Sequence, residues 1–238
     1  MTTIVLVGGS FLGPSAWQRV TSRLRAAGHD VHPLTLTGFG DRAHLGTPQT
    51  DLSTHVQDIV AALECADLTG AVLVAHSYGG APATVAAQRV PGRLRALVYV
   101  AGVLPRDGET LFETAGPQVT AAIWAAVAGR GGGWRIPVLS DAELDQFFGA
   151  HGLAGEDLRR FRAHAAPQPV GTYTERVRLP DPAAAAALPT AYLSCAGDGP
   201  APPLPAGWRH AELPTGHWPM ITLPAELADR LDGYARDL

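Results

Sequence analysis

The sequence predicts an α/β fold, with a mostly parallel sheet, flanking helices and an inserted helical cap. Its apolar runs are short, rich in valine and leucine, and alternate with segments of helical periodicity. This pattern is typical of buried parallel strands joined by crossover helices. Strand signals cease between residues 106 and 187, which predicts the insertion. The 238 residues, 46% of them hydrophobic and 17% charged, suffice for one globular domain with a sizeable core.

Six strands and four helices are predicted for the core, which comprises residues 1–105 and 188–238. The predicted strands are Thr3–Val7, Asp30–Leu34, Ala71–His76, Leu94–Val100, Thr190–Cys195 and Trp208–Leu213. The predicted helices are Ser15–Ala27, Leu52–Ala66, Tyr78–Val90 and Pro224–Asp237. The first helix is expected to stop at Gly28, because glycine readily adopts the left-handed conformation found just after a helix.

Residues 106–187 are predicted to form a helical cap on the same domain. Amphipathic stretches at Val119–Ala128, Asp141–Gly149 and Glu156–Ala165 predict short helices. A glycine-rich turn at 129–133 and a proline-containing stretch at 167–169 separate them. The alanine run that begins at Ala183 is expected to be helix before the next strand.

Composition excludes several classes of protein. All 18 basic residues are arginine, which excludes functions that need a lysine of the chain itself, such as a P-loop or a pyridoxal-phosphate Schiff base. The net charge of −4 gives no reason to expect nucleic acid or a membrane as partner. The N-terminus lacks the basic region and cleavage site of a secretory signal, so a cytoplasmic protein is expected. Cys65 and Cys195 are expected to be reduced and buried.

Residues 71–80 (AVLVAHSYGG) carry the strongest signal for chemistry. A buried strand runs into Ser77 and a helix leaves from it, which is the setting of a nucleophile elbow. Small neighbours are needed around such a strained turn, and Ala75, Gly79 and Gly80 supply them. The amide of Tyr78 would then lie at the helix N-terminus, where it can stabilise a developing oxyanion.

A second oxyanion amide is expected from the glycine-rich loop after the first strand, residues 8–13, and Ser10 is the candidate. The alternative for this loop is a dinucleotide-binding turn. Its glycine spacing differs from Gly-x-Gly-x-x-Gly, and no acidic residue ends the second strand near Leu34. The oxyanion interpretation is therefore favoured.

His217 is the best placed general base, because it follows the last predicted strand and precedes the last helix. Asp198 is the only carboxylate in the loop after the fifth strand, and it is predicted to orient His217; Asp107 is the reserve candidate. Strand alternation predicts that His76 points to the opposite face of the sheet from Ser77. The other histidines show no metal-ligand spacing, so no metal and no other cofactor is expected.

These residues resemble the α/β-hydrolase branch that contains plant salicylate methylesterases and hydroxynitrile lyases. The resemblance rests on residues 4–17, 28–31, 36–42, 76–80, 103–108 and 216–217, and it covers most of the chain outside the cap. It implies an α/β-hydrolase fold, a triad of Ser77, Asp198 and His217, and oxyanion amides from Ser10 and Tyr78.

Two positions depart from that family's pattern. Members usually carry histidine where this chain has Gly8, and the departure bears on the rigidity of the loop rather than on the reaction class. The lyases carry a lysine after the catalytic histidine to stabilise cyanide, whereas this chain has Trp218. That difference argues against cyanide chemistry and favours ester hydrolysis.

The predicted function is a serine hydrolase that cleaves a small hydrophobic or aromatic carboxylic ester or lactone through an acyl-enzyme. Phe11, Leu12 and Trp124 are predicted to line the substrate pocket. Five more aromatic residues are expected mostly to pack the cap core: Trp134, Phe147, Phe148, Phe161 and Tyr173. Two alternatives stay open, a lyase or cyclase with the same site and a non-catalytic binding protein; a homodimer is also left open.

Overall fold

A six-stranded sheet forms the centre of the molecule in a computed structural model, which describes residues 1–238 except for the side chain of Ala185. Its strands are β1 Thr3–Val7, β2 Asp30–Leu34, β3 Ala71–His76, β4 Leu94–Val100, β5 Thr190–Cys195 and β6 Arg209–Leu213. All neighbouring strands are parallel. Five strands have the predicted bounds; the sixth begins one residue late because the Trp208 amide closes a turn onto the Pro205 carbonyl.

The strand order β2-β1-β3-β4-β5-β6 determines where a ligand can bind. The chain passes from β1 outward to β2 and then returns to the other side of β1 to form β3. In open α/β sheets, the crevice at the carboxyl ends of the strands where the order reverses is the usual ligand site. The loop at residues 8–13 follows β1 and Ser77 follows β3, so both border this crevice.

Long helices cover the two faces of the sheet. On one face α1 Gln18–Ala26 packs against the C-terminal helix α10 Pro224–Asp237, and on the other α2 Leu52–Cys65 packs against α3 Gly80–Arg89. Alternate residues of β1 and β3 enter the two separate apolar clusters. The helices α1 and α3 begin later than predicted, because 3₁₀ turns at Pro14–Trp17 and Ser77–Gly79 precede them.

The insertion between β4 and β5 contains six helices. These are α4 Leu111–Ala115, α5 Pro117–Arg130, α6 Asp141–Phe148, α7 Gly155–His164, α8 Gly171–Thr174 and α9 Pro182–Ala187. The three amphipathic stretches of the sequence fall on α5, α6 and α7. A two-residue antiparallel ladder joins Arg135–Ile136 to Gln168–Pro169. Because α8 packs against α2 and α9 against α3, the end of the insertion also covers the α2/α3 face.

The two cysteines differ in exposure. Cys195 is buried, as predicted, but Cys65 is exposed, so that part of the prediction is wrong. Cys65 ends α2 on the side opposite Leu63 and Ile59, which face the core. No helix among the described residues is long and apolar enough to cross a membrane.

Candidate active site

Ser77 lies in a strained turn between β3 and α3. Its φ of +49° is rarely adopted by residues that carry a side chain. A Cβ atom at Gly79 would lie 2.5 Å from the carbonyl oxygen of Gly8, and one at Gly80 would lie 2.4 Å from that of Val103. Both positions therefore require glycine for the chain to pass so close to its neighbours. The sequence pattern that predicts the elbow thus has a steric cause.

Three side chains far apart in sequence meet at the carboxyl edge of the sheet. The Ser77 Oγ atom lies 2.8 Å from Nε2 of His217, and Nδ1 of His217 lies 2.7 Å from Oδ2 of Asp198. A carboxylate can only accept, so Nδ1 carries the proton and donates it to Asp198. Nε2 is then the basic nitrogen that accepts the Ser77 hydroxyl. This geometry permits general-base activation of the serine hydroxyl.

Asp107, the reserve acid, takes no part in this arrangement. It lies in an exposed loop, where Oδ1 accepts a hydrogen bond of 2.8 Å from the Leu179 amide. His210 lies on β6, and its Nε2 atom is 2.9 Å from the Ser194 hydroxyl. Among the described residues, no group of three or more His, Cys, Asp or Glu side chains could hold a metal ion.

His76 lies beside His217, so the prediction that it points to the opposite face is wrong. The two ring centroids are 5.0 Å apart, and His76 Nε2 donates to the His217 carbonyl oxygen at 2.7 Å. Burial and the neighbouring His217 keep the pKa of His76 well below 6.5, so this imidazole stays neutral. Side chains alternate between the two faces only within a strand, and β3 ends at His76, so the rule does not extend to Ser77. Gly9 also leaves space for the ring, since a Cβ there would lie 2.7 Å from His76 Nδ1.

The loop after β1 is closed on itself. A Cβ at Gly8 would lie 2.6 Å from the carbonyl oxygen of Leu12, so the histidine usual in related proteins cannot stand there in this conformation. The Leu12 amide donates to the Gly9 carbonyl at 3.2 Å. Phe11 has a φ of +71°, and its carbonyl accepts from the Ala166 amide at 2.9 Å. The loop is thus held by its own turn and by the insertion.

A cavity of about 260 Å³ adjoins Ser77 and His217. Its walls are mainly apolar and come largely from the insertion, including Val119, Ile123, Leu139, Phe147 and Phe148. Five further polar side chains line it: Ser10, His76, Thr114, Gln168 and Tyr173. The cavity therefore suits a small ligand with a large apolar surface.

Of the three predicted pocket residues, only Phe11 lines this cavity. Leu12 is buried in the core instead, and Trp124 is 42% exposed and packs against Phe112. The prediction for Trp124 is wrong because α5 turns Val119 and Ile123 toward the cavity. Trp124 follows Ile123 directly, and successive residues of an α-helix point about 100° apart. Sequence reasoning assigned Phe147, Phe148 and Tyr173 mostly to packing, and it missed Gln168 altogether. No periodicity distinguishes an aromatic residue in a cap core from one on a cavity wall.

Tyr78 is anchored beneath the elbow by a buried histidine. Its hydroxyl lies 2.7 Å from His55 Nδ1, and His55 Nε2 donates to the Thr37 carbonyl at 2.7 Å. Because a carbonyl can only accept, Nδ1 carries no proton and accepts from the Tyr78 hydroxyl. Burial lowers the pKa of His55 to about 4 and raises that of Tyr78 well above 10. Both groups therefore stay neutral at physiological pH.

Folding stability is expected to fall as the pH drops from about 6.5 toward 4. The lowered pKa values of His55 and His76 mean that the unfolded chain binds protons in this range while the folded chain does not. Each buried histidine should remove roughly 1 kcal/mol of stability per pH unit. Urea unfolding across this range measures the slope, and His55→Gln should reduce it.

His44 provides the matched control, because it is exposed in the folded chain. His44→Gln should leave the pH slope of the unfolding free energy unchanged. A slope that is the same in the wild type and His55→Gln would show that His55 is not held neutral.

A strand–serine–helix elbow, with aspartate and then histidine on later loops of the same parallel sheet, defines the α/β-hydrolase class. The chain belongs to the alpha/beta hydrolase family, whose profile matches residues 4–230. The predicted fold class is thereby confirmed.

Relatives of the chain refine this assignment. It is 30% identical to a carbendazim hydrolyzing esterase of Nocardioides sp. (strain SG-4G), over 97% of this chain and 98% of that protein. It is 32% identical to methylesterase 7 of Arabidopsis thaliana, over 50% of this chain and 48% of that protein. A Paenibacillus extracellular α/β-hydrolase, homologous to tobacco salicylic acid binding protein 2, superposes over 100% of both chains at 22% identity and a TM-score of 0.84. The predicted resemblance to methylesterases is confirmed, and the enzyme class that these findings support is carboxylic ester hydrolase.

Proposed function

We propose that this enzyme hydrolyses a small hydrophobic or aromatic carboxylic ester, or a lactone, through an acyl-enzyme on Ser77. One observation carries the proposal: His217 lies within hydrogen-bonding distance of the Ser77 hydroxyl and, through its other ring nitrogen, of Asp198. This fixes the tautomer in which His217 can take a proton from the serine.

In the first half-reaction, Ser77 Oγ attacks the ester carbonyl carbon while His217 Nε2 takes the hydroxyl proton. Asp198 stabilises the resulting imidazolium. Collapse of the tetrahedral intermediate breaks the bond to the alkoxide, which leaves with the proton from His217. Water then repeats the sequence on the acyl-enzyme, and the acid and free Ser77 result.

The amides of Tyr78 and Ser10 are proposed to bind the oxyanion. Tyr78 follows the nucleophile at the start of the 3₁₀ turn, where backbone N–H groups point out of the helix. Ser10 lines the same cavity as Ser77, on the loop that Gly8 and Gly9 bring close to the elbow. Two such donors would each stabilise the transition state by about 3 kcal/mol.

The volume and the apolar walls of the cavity limit the size and the chemistry of the substrate. Its volume of about 260 Å³ lies below the roughly 300–1,000 Å³ of sites for drug-sized ligands, which favours a small ester. Trp218 is buried, and its ring centroid lies 5.0 Å from that of His217, where it adds to the apolar wall. An apolar neighbour cannot stabilise a cyanide leaving group by charge, so ester hydrolysis is favoured over cyanide chemistry.

Covalent labelling tests the proposal. Phenylmethylsulfonyl fluoride should sulfonylate Ser77 with loss of fluoride, and peptide mass mapping should find the adduct on that residue. Methyl benzoate hydrolysed in ¹⁸O-water should yield benzoate with one solvent oxygen. Ser22→Ala changes an exposed serine on α1 and should be labelled like the wild type.

Two results would contradict ester hydrolysis. If the folded protein forms no adduct on Ser77, the assignment of Ser77 as the nucleophile is wrong. Turnover without incorporation of solvent oxygen would instead indicate a lyase or cyclase that uses the same residues.

A further inference from the structure

One wall of the cavity contains a buried amide that the proposed reaction does not use. Gln168 is fully buried, lies on the short ladder opposite Ile136, and lines the cavity together with Ser77 and His217. Gln168 Oε1 has no hydrogen-bond partner among the described residues. A buried acceptor without a partner is costly, so its presence in a ligand cavity calls for an explanation.

The hydrogen bonds of Thr172 fix which end of this amide is bound. The Thr172 hydroxyl lies 2.7 Å from the Pro169 carbonyl oxygen, and that oxygen can only accept. A hydroxyl has one proton, so Thr172 donates it to Pro169 and must accept at its own oxygen. Gln168 Nε2 lies 2.8 Å from that oxygen and donates to it. The nitrogen end is therefore occupied, and Oε1 is the free acceptor.

Two contacts place this amide on the same side of the cavity as the proposed oxyanion loop. The Ala166 amide, two residues before Gln168, donates to the Phe11 carbonyl at 2.9 Å. The Tyr173 hydroxyl lies 3.1 Å from Ser10 Oγ. The segment that carries Gln168 therefore adjoins the loop of Ser10, and Ser10, Ser77 and Gln168 all border the same cavity.

We propose that Gln168 determines specificity by accepting a hydrogen bond from a hydroxyl or N–H group on the acyl part of the substrate. This rests on the proposed ester hydrolysis and names a narrower substrate class, esters with a donor group on an otherwise apolar acyl chain. An acyl group without the donor leaves Oε1 desolvated and unpaired. Leaving such a group unpaired lowers kcat/KM by roughly ten- to hundredfold.

Matched esters test the proposal. Each pair differs by a hydroxyl replaced with methyl: methyl 3-hydroxybenzoate and 3-methylbenzoate, methyl 4-hydroxybenzoate and 4-methylbenzoate, methyl 3-hydroxybutanoate and 3-methylbutanoate. The wild type should favour the hydroxylated member of at least one pair by tenfold or more in kcat/KM. Gln168→Met keeps the size of the side chain and removes the acceptor, so the ratio for that pair should fall to about one.

Leu139→Met is the matched control, because it places the same new side chain in the same cavity and retains Gln168. It should change the rates of both members of a pair together and keep their ratio. Circular dichroism and thermal unfolding verify that each variant is folded.

Ester hydrolysis without preference for the hydroxylated member in any pair would overturn the role of Gln168 and leave the proposed function intact. So would a preference that survives Gln168→Met. Failure to hydrolyse any ester, with no adduct on Ser77, would instead contradict the proposed function itself.

Discussion

Replacement of Ser77 by alanine should lower kcat for ester hydrolysis by about 10⁴- to 10⁶-fold. The variant loses the atom that forms the acyl-enzyme, while the cavity walls and the His217–Asp198 contact remain. Binding of benzoate, measured by calorimetry, should change by no more than a few-fold, because the loss lies in the chemical step. Steady-state kinetics with methyl benzoate and a burst assay with 4-nitrophenyl acetate measure the effect.

The double variant Ser77→Ala/His217→Ala supplies a stricter test. Residues that act as one unit are not additive, so removing His217 from a chain that already lacks Ser77 should cost little more. Additive losses would show that the two residues act separately. Ser22→Ala, an exposed serine on α1, should retain wild-type kinetics.

Asp198→Asn should reduce kcat by about 10³- to 10⁴-fold at neutral pH, although the change in shape is small. The carboxylate oxygen 2.7 Å from His217 Nδ1 can only accept, and this holds the proton on Nδ1. An asparagine can turn its NH₂ group toward Nδ1 and so shift the proton to Nε2. Nε2 would then face Ser77 as a donor and could not take its proton.

Asp107→Asn is the matched control for this substitution, because Asp107 was the other acid that the sequence offered. It accepts from the Leu179 amide in an exposed loop, and an asparagine oxygen can accept in the same way. Its kcat should stay within a few-fold of wild type. If Asp107→Asn lost activity and Asp198→Asn kept it, the assignment of the orienting acid would be wrong.

Local sequence predicted the strands and the elbow well, for physical reasons. The inner strands β3 and β5 are buried along their whole length, so they appear as mainly apolar runs with sharp ends. The elbow needs glycine where a Cβ atom would lie about 2.5 Å from a neighbouring carbonyl oxygen, as it would at Gly79. Each of these steric and burial requirements restricts the residue type at one position, so the sequence alone shows it.

The cavity wall was poorly predicted because no local rule decides which side of a cap residue meets the ligand. Trp124 and Ile123 are adjacent in α5, yet Ile123 lines the cavity and Trp124 is exposed. His76 was misplaced because strand alternation ends where β3 turns into the elbow. The sequence did not single out Gln168, because the absence of a hydrogen-bond partner for its Oε1 atom is visible only in the folded structure.

By itself, the sequence determined the parallel sheet, the order of serine, aspartate and histidine, and the absence of lysine chemistry, because these follow from residue type and short spacing. Only the tertiary structure decided which carboxylate meets His217, which aromatic residues face the substrate, and which buried acceptor stays unpaired. Those outcomes depend on contacts between segments as far apart as Ser77 and His217, and the packing of the whole chain sets such distances.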